Sequence, residues 1–194
     1  MLDMTTMSRD LTSTEQYFDQ EITPRHSQLV DGEMVVDVPT EGHRVVVSRV
    51  LQALNEWAGA VDGRGEATVG MNLLIDERNV FSPDIAYLGG DRVLPDGIQH
   101  IDGTPDLAVE VRSLSTWCFN VGPKLRSYER LGLPELWLVD SPVASILVFR
   151  RSDPQVSEFD VALEITRGEL LTSPLLRRFE LPVDDIFAPL RSRD

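Results

Sequence analysis

Pro105-Asp106-Leu107-Ala108-Val109-Glu110-Val111-Arg112-Ser113 is an apolar run with a glutamate set inside it, and its period decides how the chain is read. Strand side chains alternate faces, so a strand over 106–112 lines one side with Leu107, Val109 and Val111 and the other with Asp106, Glu110 and Arg112. Upstream, Pro83-Asp84 interrupts the apolar run from Val80 to Leu88. A missing N–H is tolerated only at an edge, a bulge or a strand start, so a local break beside Asp84 is expected. Downstream, Pro123 suits a first helical turn, Leu125, Tyr128 and Leu131 form an apolar stripe, and Gly132 ends the helix, which places Lys124 in its first turn.

The pattern extends outward in both directions. Pro134 to Asp140 is a nearly continuous apolar strand of the kind covered on both faces. Ile146–Arg150, Asp160–Ile165 and Glu169–Thr172 follow as shorter strands, and Asp184–Phe187 suits a terminal helix. Toward the N-terminus, Thr68–Ile75 and Val80–Leu88 read as two strands joined by Asp76-Glu77-Arg78-Asn79, and Gly89–Thr104 reads as a long loop. Val46, Val47, Val50, Leu51, Leu54 and Trp57 recur at helical spacing between a Thr40 N-cap and Gly59. Asp31-Gly32 joins the strands Gln28–Val30 and Glu33–Val38 as a hairpin turn, and Ser13–Phe18 suits a short capped helix. Residues 1–12 are expected to form a mobile tail and 13–194 a single domain.

Composition narrows the chemistry. Of 194 residues 42% are hydrophobic, an ordinary globular share. No apolar run approaches a membrane span and the N-terminus has no signal-like pattern, so a cytoplasmic protein is expected. One cysteine and three histidines offer no zinc framework, which leaves any metal to oxygen ligands. The 18 Lys and Arg against 32 Asp and Glu give a net charge of −14. That charge argues against a free-standing, tight DNA binder, although local basic residues and bound cations can reverse the potential at one cleft. Arg112, Lys124, Arg126 and Arg130 lie close together in sequence and suit either such a cleft or a solvated helix face.

An aspartate opening one strand, a glutamate inside the next and a lysine shortly after are the ingredients of a metal-dependent phosphodiester-cleaving site. Two carboxylates on neighbouring strands can hold Mg²⁺ or Mn²⁺ while leaving room for water and phosphate. Spacing alone leaves open that Asp84 and Glu110 are solvated strand-end acids.

The order of these residues resembles the PD-(D/E)xK nuclease superfamily. Arg112 stands at that superfamily's usual lysine position, where an always-protonated side chain cannot act as a base. Pro105-Asp106-Leu107, Glu110-Val111, Ser113, Ser115-Thr116, Lys124, Tyr128 and Gly132 to Asp140 are similar to the Uma-two family of restriction-endonuclease-like proteins, in which the lysine sits on the following helix. The likeness runs from about Ser13 to Phe187. It implies a mixed central β-sheet flanked by helices, with additional N- and C-terminal strands. It also implies Asp84 and Glu110 as metal ligands with the Val111 carbonyl as a third, Lys124 as the catalytic cation, Mg²⁺ or Mn²⁺ as cofactor, DNA as substrate and a homodimer as the working form.

Three positions depart from the family pattern: Gln28 and Asn120 replace carboxylates, and Leu114 replaces a proline. Loss of two carboxylates weakens a second metal site, and with the acidic charge it favours the alternative of an inactive nuclease fold acting through protein contacts. A hydrolase for a smaller phosphate compound also fits. Among the remaining residues, His43 reads first as a capping or surface histidine and second as a proton carrier or phosphate donor facing the site, Asp106 reads as structural, Trp57 and Trp137 as core, Tyr128 as packing beneath the site, and Trp117 and Cys118 as part of the segment before Lys124.

Overall fold

The structure is a computed structural model and describes residues 11–19, 27–92, 98, 100–113, 122 and 124–189. Its central element is β8 (Leu107–Val111), in which every residue is buried. Its neighbours are β9 (Glu135–Asp140), parallel, and β6 (Ile85–Leu88), antiparallel. The antiparallel strands β10 (Ser145–Arg150), β11 (Val161–Thr166) and β3 (Glu66–Thr68) complete a six-stranded mixed sheet in the order β11-β10-β9-β8-β6-β3. A parallel pair cannot be closed by a tight turn, and the crossover from β8 to β9 carries a helix, Leu125–Arg130.

One face of this sheet packs against α2 (Glu41–Gly59). Thr40 caps that helix by accepting from the His43 amide at 3.2 Å, and Val46, Val50 and Leu54 return every fourth residue to meet Val109, Val111, Trp137 and Val139. Each such fully buried side chain contributes about 1.5–3 kcal/mol. The other face carries Ala108, Leu136 and Leu138, which meet Tyr128, Leu133, Leu73 and Phe81.

Leu73 and Phe81 belong to a second, five-stranded sheet in the order β2-β1-β5-β4-β7. It comprises β1 (Ser27–Val30), β2 (Glu33–Val36), β4 (Asn72–Asp76), β5 (Asn79–Phe81) and β7 (His100–Asp102). The β1–β2 hairpin turns through Asp31 and Gly32 at φ of 52° and 80°, as the Asp-Gly pair requires. Before it lies α1 (Thr14–Phe18), held by a reciprocal capping box between Ser13 and Gln16.

Two expected strands prove to be divided between the sheets. Thr68–Ile75 splits at Val69-Gly70-Met71, with β3 in the central sheet and β4 in the second. Gly70 makes that crossing at a φ of 71°. Val80–Leu88 splits at Ser82-Pro83-Asp84, where the missing proline N–H ends β5 and frees the chain to enter β6. The expected loop Gly89–Thr104 also holds structure: a 3₁₀ turn at Gly90–Arg92, and β7, which pairs in parallel with β4. After β11, β12 (Leu170–Thr172) pairs with β13 (Glu180–Pro182), which the sequence reading omitted, and the chain enters a final helix, Val183–Ile186, whose Val183 and Ile186 are buried. Residues 1–10 of the expected tail lie outside the described residues, while Thr12 donates its amide to Gly32. Among the described residues no helix is long and apolar enough to cross a membrane.

Candidate active site

The β6–β8 register pairs Ile85 with Val109, and carried one residue further it sets Asp84 opposite Glu110. Opposed residues of an antiparallel pair share a face with Cβ atoms about 4.5–5.5 Å apart. The strand pairing has ended at Asp84, and its carboxylate takes over the ladder: Val111 N donates to Asp84 Oδ2 at 2.7 Å. The N–H and C=O of one strand residue point the same way, so the Val111 carbonyl also turns to this side, where it faces His43.

Glu110 is 3% exposed. Its Oε1 accepts from Tyr128 OH at 3.1 Å and forms an ion pair with Lys124 Nζ. Lys124 is itself buried, in helical conformation just before the helix Leu125–Arg130, with its ammonium 5.5 Å and 5.9 Å from the ring centres of Phe81 and Tyr128. Burial pushes the Glu110 carboxyl up to about 7; the Lys124 charge opposes the rise and the Asp84 charge adds to it. Burial, followed by the Glu110 charge, raises the Tyr128 phenol well above its usual range, so Tyr128 serves Glu110 as a hydrogen-bond donor.

His43 corrects the expectation of a capping or surface residue. Its backbone amide meets the cap, but its ring is buried and Nε2 lies 3.3 Å from Asp84 Oδ2. Burial lowers its pKa, yet Asp84, Asp37 and the Val111 carbonyl together outweigh burial and raise it. The sequence offered a site-facing His43 as the second reading, and its place in the first turn of α2 favoured the cap.

These groups adjoin a cavity of about 390 Å³ at the place where both chain crossings leave the central sheet. Val69, Gly70, Ser82 and Pro83 come from the crossings, and Asp84, Glu110, His43 and Gln28 also line it. Lys124 and Tyr128 are not in the lining; they stand behind Glu110.

The basic residues that cluster in sequence do not converge on this cavity. Arg112 donates to both carboxylate oxygens of Asp140 at 3.0 and 2.9 Å, Arg130 lies 3.5 Å from Asp76, and Arg126 is exposed. Asp106 is structural, as expected, accepting from Gly89 N at 2.8 Å and from Arg92 at 3.0 Å. Trp137 is fully buried, and Trp57 packs partly buried against Tyr87 and Phe179. Leu114, Ser115, Thr116, Trp117, Cys118, Asn120 and Pro123 lie outside the described residues.

Among the described residues, no three His, Cys, Asp or Glu side chains converge as a metal-binding group. The available donors are two carboxylates and one carbonyl, an oxygen set of the kind Mg²⁺ and Mn²⁺ complete with water and phosphate.

A mixed sheet packed on α2, with an aspartate and a glutamate meeting across β6 and β8 and a lysine following, is a restriction-endonuclease-like fold. Residues 14–184 match the Uma2 family model, described as "putative restriction endonuclease", and the chain belongs to that family. A crystal structure of "a putative nuclease belonging to DUF820" from Anabaena variabilis ATCC 29413 is similar in fold, with a TM-score of 0.76 over 90% of this chain and 97% of that chain at 16% identity. No curated protein matches the chain.

Proposed function

We propose that this protein is a Mg²⁺- or Mn²⁺-dependent nuclease that hydrolyses DNA phosphodiester bonds, with Asp84, Glu110 and the Val111 carbonyl as metal ligands and Lys124 as the catalytic cation. The observation that carries the reading is the register: Asp84 falls opposite Glu110 at the edge of one cavity, and the Val111 peptide turns toward the same place. A divalent ion at this position supplies charge stabilisation on the phosphoryl oxygens and acidifies water.

The chain's own residues hold that geometry. The Val111 amide fixes Asp84, and Lys124 with Tyr128 fixes Glu110. Lys124 also lowers the pKa of a carboxyl that burial would otherwise hold protonated, which keeps it available as a ligand near neutral pH. A second reading, an inactive nuclease fold acting through protein contacts, draws on the net charge of −14 and on the neutral Gln28.

Calorimetric titration of Mn²⁺ separates the two. One saturable site in the wild type, lost in Glu110→Gln, supports the nuclease. Absence of binding in the wild type, with a DNA oligonucleotide present as well as absent, supports the inactive fold.

A further inference from the structure

Gln28 is 6% exposed, lines the cavity from β1, and its Oε1 has no hydrogen-bond partner among the described residues. A buried carbonyl oxygen left unpaired is costly, so this amide calls for a donor arriving from the cavity. Pro39, Val47, Leu51, Val69 and Pro83 give the wall its aliphatic area, and Ser27, Asp37, His43, Arg44, Ser48 and Ser82 place polar groups around it. An apolar enclosure with a few fixed polar groups is the usual make-up of a small-ligand pocket, and about 390 Å³ is the scale of a single nucleotide. A duplex held against this surface would gain little from phosphate neutralisation, since 32 acids face 18 basic residues, Arg112 and Lys124 are engaged with Asp140 and Glu110, and Arg44, in the cavity lining, lies 3.6 Å from Glu41.

We infer that the cavity is a base pocket. It receives one unpaired nucleotide of single-stranded or locally opened DNA, with the base between the aliphatic walls, its polar edge on Gln28, and its phosphate toward Asp84 and Glu110. The inference extends the nuclease reading and rests on it for the phosphate. A carboxamide offers one acceptor and one pair of donors, the complement of a nucleobase edge, and it adds no charge beside the two carboxylates. Extracting a base from a duplex costs its stacking and pairing, so the unpaired strand is the favoured substrate.

The test removes the phosphate and the metal so that base recognition stands alone. The four deoxynucleosides are titrated, by ligand-observed NMR in metal-free buffer, against the wild type, Gln28→Leu, Val47→Trp and Glu135→Gln, each verified as folded by thermal melting. Saturable binding of at least one nucleoside is expected, weakened at least tenfold in Gln28→Leu, abolished in Val47→Trp, which fills the cavity from α2, and kept in Glu135→Gln, which lies outside the lining. No saturable binding of any nucleoside, or binding unchanged in either folded pocket variant, overturns the inference. Nucleoside binding in a protein that takes up no Mn²⁺ would refute the metal reading and leave the base pocket standing.

Discussion

Adjacent parallel strands β8 and β9 each bury a glutamate, and the two are held in opposite ways. Glu110 meets an ammonium, a phenol and a cavity. Among the described residues the hydrogen-bond donors on Glu135 are neutral, Trp137 Nε1 at 2.6 Å on one oxygen and Ser173 Oγ at 2.7 Å on the other, and Arg150, its register partner on β10, reaches it through charge without an ion pair. Burial raises the pKa of both. Desolvation therefore does not separate the two; the buried ion pair with Lys124 and the cavity in front of Glu110 do.

The largest effect is expected from separating Glu110 and Lys124. Glu110→Leu strands a buried ammonium between Phe81 and Tyr128 and should cost about 3–5 kcal/mol in urea unfolding. Lys124→Met should cost less, because a carboxyl already raised to about 7 can accept a proton. The double variant Glu110→Leu/Lys124→Met should recover most of the loss, since apolar groups of similar volume replace a buried pair at little or no cost. All three should lose cleavage. A double variant no more stable than Glu110→Leu alone would place Glu110 beside Glu135 as a structural group.

Much of this contrast was legible in the sequence, and the part that was not has physical causes. The period of two around Glu110, the Thr40 cap with its stripe of valines and leucines, and the Asp-Gly hairpin are local signals, and the structure keeps each of them. The division of 68–75 and 80–88 between two sheets was only half visible. A strand that changes sheet keeps its alternation, so Pro83 and Gly70 were the sole marks and only Pro83 was weighed. The cavity arises from those crossings, so the sequence could raise a site-facing His43 and mark Gln28 as a departure without showing that both line one space. The cap was preferred for His43 because its backbone belongs there, while its ring is placed by the packing of α2 against β8. Arg112 shared a face with Glu110 by alternation, but nothing local announced that Asp140, on the neighbouring strand, would hold it.

A smaller effect is expected at Glu135. Glu135→Gln keeps an acceptor for Trp137, and Ser173 can rotate to accept, so stability should change by no more than about 1 kcal/mol and Mn²⁺ affinity should be unchanged. The pH dependence is more telling. A carboxyl whose folded pKa lies above the usual 4.5 holds its proton more tightly when folded, so its contribution is complete below that value and is lost as pH rises through the folded pKa. The wild type should therefore lose stability over that range relative to Glu135→Gln. Parallel urea midpoints for the two proteins across the range would show that Glu135 ionises without penalty, and the likeness between the two glutamates would be broken.

The smallest effect belongs to Arg112, which sits on the strand of Glu110 but is bound to the strand of Glu135. Its partner Asp140 lies at the end of β9, and both side chains keep some solvent contact, at 32% and 14% exposure. Pairs of this kind contribute about 0–1 kcal/mol. Arg112→Gln should thus shift the unfolding midpoint slightly and leave Mn²⁺ binding intact. The sharper variant is Arg112→Lys in a Lys124→Met background, which puts a lysine where the PD-(D/E)xK pattern usually has one. Asp140 should hold that ammonium away from the cavity, so cleavage should stay lost. Recovery of cleavage would mean that the face Arg112 shares with Glu110 still opens onto the scissile phosphate, and that the lysine's place on this fold is set by which acid captures it rather than by the strand.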